Sequence, residues 1–539
     1  MSGTHVRPAR RRPLAIASGL ALAAALASGS TLPAFAAEGC DDTTTPGTLA
    51  VTIANSSTTT VLSVDGSGDI LVAGPAGCAG PYGSITSVTV ATDMPGDDTD
   101  ETVTFADPGN TGWSDVTSIS VNLGDESDDT VILDGTDDAD AIAASFVTSA
   151  SGVEHFELNG KGDIDTLIGG STEDTLYGGD GDDILAGGSH DDHIYGGAGD
   201  DTIHGDAGDD HLDGEADDDD IYGDADDDYL HGGDDDGADV LDGGDGDDLF
   251  DECGTGTGAD DIVGGNGRDT VDYADRSGAV TVTLDAGVDD DGESGEGDDI
   301  VDVEDVLGGS AGNDITGNGS DNRLVGGDGV DTLTGGLGND ILEGGAGGDV
   351  LEGEDGSDTA SYEHAPSGVT ADLGTGSGTG GEANGDTFAG IENLIGSDDV
   401  DVLTGTSGPN VIWGEDGDDD LYGMDGNDVL DGDEGSDDIW AGAGNDALYG
   451  GDGVDYLYGE GNADTLRGGS GVDWMDGGLG NDSLFGDSGA ENTAGNWLCG
   501  GGTDKANLDK ADGFTKSAAQ SALIGGASAC ERLAGSFAR

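Results

Sequence analysis

The residues best placed to do chemistry are aspartates that return every nine positions. In eight consecutive units starting at Gly160, the sixth place holds Asp165, Asp174, Asp183, Asp192, Asp201, Asp210, Asp219 and Asp228. After a slip of two residues Asp239 and Asp248 restore the pattern as far as Asp251, and a short pair of units over 255–272 carries Asp260 and Asp269. A further array over 308–361 places Asp331, Asp340, Asp349 and Asp358 there. The longest array, 396–485, has Asp401, Asp419, Asp428, Asp437, Asp446, Asp455, Asp464, Asp473 and Asp482. A short carboxylate repeated at fixed intervals is a set of hard oxygen donors. Calcium suits such a set because it accepts six to eight oxygens in flexible geometry, whereas magnesium demands a tight octahedron and keeps its waters.

The other positions of the unit explain how the carboxylates are held. In GGDGDDILA (178–186) and GGAGDDTIH (196–204), the paired Gly and the x-Gly that follows permit positive φ and close backbone approach. Carbonyl oxygens can then turn inward beside the Asp. Positions seven to nine predict a strand of about three residues whose middle side chain, always Leu or Ile from Leu167 to Leu230, faces a core. Two units make one coil, so sixth-position carboxylates recur at the same height every 18 residues. One core side chain per nonapeptide is too little burial to order nine residues in a chain of repelling carboxylates. The expectation is that metal-binding free energy becomes folding free energy, cooperatively along the stack.

The G-G-x-G-x-D-x-U-x unit resembles the repeats-in-toxin (RTX) family over roughly residues 160–485. The resemblance implies an all-β, right-handed parallel β-roll or β-helix solenoid, with Ca2+ ions held between adjacent turns by sixth-position Asp carboxylates and backbone carbonyls. It implies the ligand role only for the aspartates named above. Asn313, Asn322 and Asn410 stand where the pattern has Asp, and those sites are expected to be weaker or empty. Asp217 and Asp226 replace the second turn Gly, which places those two turns in doubt because Asp enters positive φ less freely. Many family members leave the cell through an exporter that reads an uncleaved C-terminal signal; the N-terminus here reads differently.

Composition bounds the function classes. The chain of 539 residues has 107 Gly, 10 Pro and a formal charge of −103, with no Lys or Arg between Arg12 and Lys161. No Gly-X-Y period is present, which excludes collagen. Such a surface repels nucleic acid and anionic membranes, so neither is expected as a partner. Arg7 to Arg12, an apolar run from Leu14 to Leu26 and Ala34-Phe35-Ala36 predict a signal peptide over 1–36, hence a secreted, extracellular protein with no later membrane span. Export makes disulfides chemically reasonable. Cys40 with Cys78 and Cys499 with Cys530 are the local pairings, which leaves Cys253 over.

Around the repeats, residues 37–159 alternate as strands do (Ser118-Ile119-Ser120-Val121) and predict a β-rich cap or further coils. The arrays 160–272, 308–361 and 396–485 are separated by excursions at 273–307 and 362–395. These end alike, Val303-Glu304-Asp305-Val306-Leu307 against Ile391-Glu392-Asn393-Leu394-Ile395, and read as devices that start each array. Residues 486–539 predict a C-terminal cap.

His193 and His211, 18 apart, predict an exposed ladder, with a transition-metal site as the alternative. Tyr422, Trp440 and Tyr458 share that spacing at the outward ninth place, either to cover strands or as a glycan platform. Residues 37–159 contain no H-E-x-x-H, no G-x-S-x-G and only His155, so no catalytic residue is named there. The reading is a non-catalytic calcium-binding module with a structural or cell-surface role. An adhesin-like glycan binder and a hydrolase with an unrecognised N-terminal site are the rivals.

Overall fold

In the computed structural model, residues 155–233, 237–252, 258–284, 291–294 and 296–486 are described, with the backbone of short strands on either side. The expected signal peptide and the expected disulfides of Cys40, Cys78, Cys253, Cys499 and Cys530 lie outside the described residues. The chain divides into Met1–Pro46 and Gly47–Arg539, and the named strands all lie in the second unit.

Positions seven to nine form the strands. Thr166–Ile168, Ile184–Ala186 and Thr202–His204 each bury only their middle side chain. Thr166 pairs with Ile184, and Ile184 with Thr202, in parallel. On the opposite side of the coil Ile194 lies beside Leu212. The register is therefore 18 residues, two units to a coil. Between the two sides runs a single file of wholly buried residues such as Leu176, Leu185, Ile194, Ile203 and Leu212.

One parallel ladder runs the length of this unit. It begins at Ile70–Ala73, passes through Thr102–Ala106, Thr130–Asp134 and His155–Gly162, and continues to Ser483–Phe485, Lys505–Asn507 and Glu531–Arg532. Facing it are first an 8-stranded sheet and then a 14-stranded one. The architecture is an all-β parallel solenoid. Among the described residues the sole helical element is a 3-10 turn at Gly381–Ala383.

The coils extend beyond the repeats at both ends. Residues 70–73, 102–106 and 130–134 are rungs of the long ladder, beside a 5-stranded sheet that starts with antiparallel pairs of Ala50–Ala54. Several repeat strands are also longer than three residues. Glu173–Asp180 spans eight, because Gly179 at the turn's second place pairs with both Lys161 and Gly197.

The long ladder crosses both excursions unbroken: Thr270–Asp272 pairs with Asp305–Leu307, and Thr359–Ser361 with Asn393–Ile395. The extra residues reverse on the facing side. Val280–Thr283 pairs antiparallel with Gly292–Glu293, and Thr370–Asp372 antiparallel with Ser377–Thr379. Each excursion is thus one enlarged coil.

Candidate metal-binding turns

From Asp174 onward the sixth-position carboxylates stitch their coils to the ones before. The backbone N–H of Asp174 donates to Oδ1 of Asp192 at 2.7 Å, and that of Asp183 to Oδ1 of Asp201 at 2.6 Å. The same bond recurs down the long array, from Asp401 to Asp419 and from Asp464 to Asp482. Oδ1 is therefore committed to the backbone.

Oδ2 is different. In Asp174, Asp183, Asp192, Asp201, Asp210, Asp219 and Asp228 it is buried and has no hydrogen-bond donor. The same holds for Asp248, Asp269, Asp331, Asp340, Asp349, Asp358, Asp419, Asp428, Asp437, Asp446, Asp455, Asp464 and Asp473. A buried oxygen without a donor is costly, and rows of them call for a cation or a proton. Burial pushes these carboxyls up: Asp192 and Asp455 to about 8, Asp219 to about 9. The bond from the preceding backbone N–H opposes that rise, and aspartates of adjoining coils add to it.

The two leading glycines of the unit have separate reasons. At the first position a side chain has no room, since a Cβ on Gly178 would lie 2.5 Å from Oδ2 of Asp183. At the second, the backbone takes positive φ, as at Gly170 (133°), Gly188 (120°) and Gly442 (100°). Lys161, Asp206, Glu215, Met424 and Glu460 stand at the second place without being Gly and still have positive φ. Asp217 (75°) and Asp226 (80°) likewise hold the fourth-position turn that their residue type placed in doubt. Ladder pairing and the core on either side impose the turn, at roughly 1–2 kcal/mol of strain per residue.

The expected residues are not uniform. Asp401 has donors on both oxygens: Val369 N–H on Oδ1 at 2.5 Å and Ser397 N–H on Oδ2 at 2.6 Å. Asp260 accepts from Asp239 at 2.8 Å but is only partly buried. Among the Asn substitutions, Asn313 Nδ2 donates to the carbonyl of Gly326 at 2.7 Å, and Asn322 Nδ2 to that of Glu304 at 2.9 Å.

Four residues with the same ladder role escaped the sequence reading. Asp298 and Asp386 accept the backbone N–H groups of Asp260 and Asp349, and Glu304 and Glu392 those of Asp269 and Asp358. A usable signal was present. Gly297-Asp298-Asp299-Ile300 and Gly385-Asp386-Thr387-Phe388 preserve the Asp-x-apolar end of the unit without its glycine turn.

The other candidates stack along the ladders. His193 and His211 lie 5.5 Å apart with rings tilted by 58°, and His211 instead stacks on Tyr229 at 4.4 Å. Tyr422, Trp440 and Tyr458 stack at 4.7 and 5.6 Å within 6° of parallel. Their ring faces are turned to one another along the ladder, so the faces that a sugar would use are largely taken. A G-x-S-x-G spelling at Gly308–Gly312 is a repeat turn, where the Ser310 hydroxyl donates to the carbonyl of Arg276. No helix among the described residues is long and apolar enough to cross a membrane.

Fold and turns together define a parallel β-roll of cation-binding nonapeptides. This region of the chain belongs to the family of RTX calcium-binding nonapeptide repeats, which matches residues 159–236, 255–273, 307–360 and 395–490 in overlapping segments. No curated protein matches the chain. The family and the solenoid make this a calcium-binding β-roll protein.

Proposed function

We propose that the protein is secreted and folds by binding many calcium ions, with a structural or cell-surface role and no catalysis. The observation that carries this reading is the row of buried Oδ2 atoms without donors. The ligand set would be the sixth-position aspartates that carry such an oxygen, completed by backbone carbonyls of the glycine turns. Carbonyls are needed because no three His, Cys, Asp or Glu side chains among the described residues converge as a metal site. Bound calcium would supply the positive charge that a formal −103 lacks. The chain's own part is to fix Oδ1 on the preceding coil, to hold Oδ2 inward against the first-position Gly, and to exclude water with the Leu/Ile file.

Asp239, Asp165 and Asp482 hold the same ladder place and belong to the proposed set. An extracellular site of this kind has an affinity on the order of 10⁻⁴ to 10⁻³ M. The chain would then stay unfolded where calcium is scarce. The test is circular dichroism of the purified chain during a calcium titration, with a cooperative gain of β structure expected. The same spectrum in chelator and in millimolar calcium would refute the reading.

A further inference from the structure

Among the described residues the turns fall into two backbone classes, and the exceptional class occurs only after the excursions. Where Oδ2 of a sixth-position Asp lacks a donor, the second residue of the same turn has positive φ, as at Gly327, Glu415 and Gly451. Gly309, Asn318, Ser397 and Thr406 do not adopt positive φ. These are the second residues of the two turns that follow each excursion.

In three of these turns the second-position N–H points to the sixth side chain. Ser397 donates to Asp401 at 2.6 Å, Thr406 to Asn410 at 2.7 Å and Asn318 to Asn322 at 2.8 Å. In the fourth, Asn313 turns its own amide to the carbonyl of Gly309 at 3.2 Å. Donors thus fill the space where the other turns present only acceptors. The Asn amides also donate to backbone carbonyls, as Asn410 Nδ2 does to that of Glu392 at 2.5 Å.

The enlarged coils close in the same manner. The Tyr273 hydroxyl donates to Oδ2 of Asp298 at 3.2 Å, and the Tyr362 hydroxyl to Oδ2 of Asp386 at 2.8 Å. Both tyrosines are buried. At the first excursion, protein cations add to this: Arg268 holds both carboxylate oxygens of Asp305, and Arg276 lies between Glu252 and Glu296.

We propose that the segments 298–322 and 386–410 are calcium-free joints, in which hydroxyl, amide, backbone N–H and guanidinium donors do what the ion does elsewhere. The joints divide the roll into three blocks that load calcium separately, and they give each block a preformed coil to load against. Asp401, although in register, is then not a ligand. This inference rests on the calcium reading of the remaining turns.

The test compares Asp401→Asn with Asp428→Asn in the whole chain, counting bound calcium by equilibrium dialysis at millimolar calcium. Asp401→Asn should keep the wild-type count, and Asp428→Asn should lose at least one ion. Equal losses from the two would overturn the proposal. Should Asp401→Asn disturb folding, hydrogen exchange on the wild type decides. As calcium is withdrawn, Arg323–Val325 and Val411–Trp413 should keep protection after Ala447–Tyr449 has lost it. Simultaneous loss, or earlier loss at the joints, would overturn it. A wild type that binds no calcium would instead remove the underlying reading, and that result is visible before any variant is made.

Discussion

Asp446 donates its backbone N–H to Oδ1 of Asp464 at 3.0 Å while its own Oδ1 accepts the N–H of Asp428 at 2.9 Å. One residue thereby spans three coils with its backbone and one carboxylate oxygen, leaving the other oxygen buried and without a donor. This explains why a single acidic residue per nine suffices. The same side chain orders the turn and presents the charge.

Asp446→Ala should therefore be far more damaging than Asp425→Ala. Asp446 is buried, whereas Asp425 is exposed on the same array. Removing Asp446 leaves the Asp428 N–H without its acceptor, which costs about 1–3 kcal/mol, and should also lose at least one bound ion. Asp425→Ala should change stability by no more than about 0.5 kcal/mol. Calcium stoichiometry and thermal unfolding in saturating calcium measure both. Equal effects would mean the nonapeptide register is misassigned.

Much of this was legible in sequence because the repeat couples each chemical role to a fixed place. The 18-residue register, the buried eighth residue and the inward Asp all follow from period nine and strand alternation. What escaped was non-periodic. Asp298 and Asp386 lie in coils of a different length, so their place in the ladder emerges only from strand pairing across the excursion. Asp401 fits the register fully, yet Ser397 in its turn does not take positive φ and donates its N–H to Asp401 instead. The sequence also gave no means of telling that Met424 or Glu460 would be forced into a glycine's conformation, since that force comes from neighbouring coils.

Met424→Gly should stabilise the calcium-loaded roll. Met424 sits at φ 80° with its side chain about half exposed, so it carries backbone strain and contributes little burial. Relief of the strain is worth roughly 1 kcal/mol after the greater freedom of Gly in the unfolded chain is counted. A rise in the denaturation midpoint in millimolar calcium is the expected outcome. A fall would mean that Met424 is held by contacts stronger than its exposure suggests.

Protons should partly replace calcium. Burial raises the carboxyls of Asp192, Asp219 and Asp419 in the ion-free fold to between about 8 and about 9, above the ordinary unfolded value of about 3.9. A raised folded pKa means that the folded state binds more protons between those limits. The resulting stability is fully present below about pH 4 and is lost as pH rises toward 8 or 9. Calcium-free protein should accordingly gain β structure when acidified from pH 8 to pH 5, and its calcium affinity should weaken over the same range because ion and proton compete for Oδ2. Circular dichroism of metal-stripped protein reads the first effect. A loss of β structure on acidification would contradict it.

Magnesium should not restore the fold. The oxygens available in each turn are a carboxylate already anchored through Oδ1 and carbonyls fixed by ladder pairing, as at Gly179 between Lys161 and Gly197. Moving them to an octahedron of about 2.1 Å would break the ladder bonds, and magnesium sheds its water reluctantly. Calcium accepts longer and irregular contacts at about 2.3–2.6 Å, so the turns need not move as far. In protein stripped of calcium, millimolar magnesium should leave the spectrum close to that in chelator, and later addition of calcium should produce the full β signal. Full β structure in magnesium alone would show that the turns supply general charge neutralisation and not a cage with calcium's dimensions.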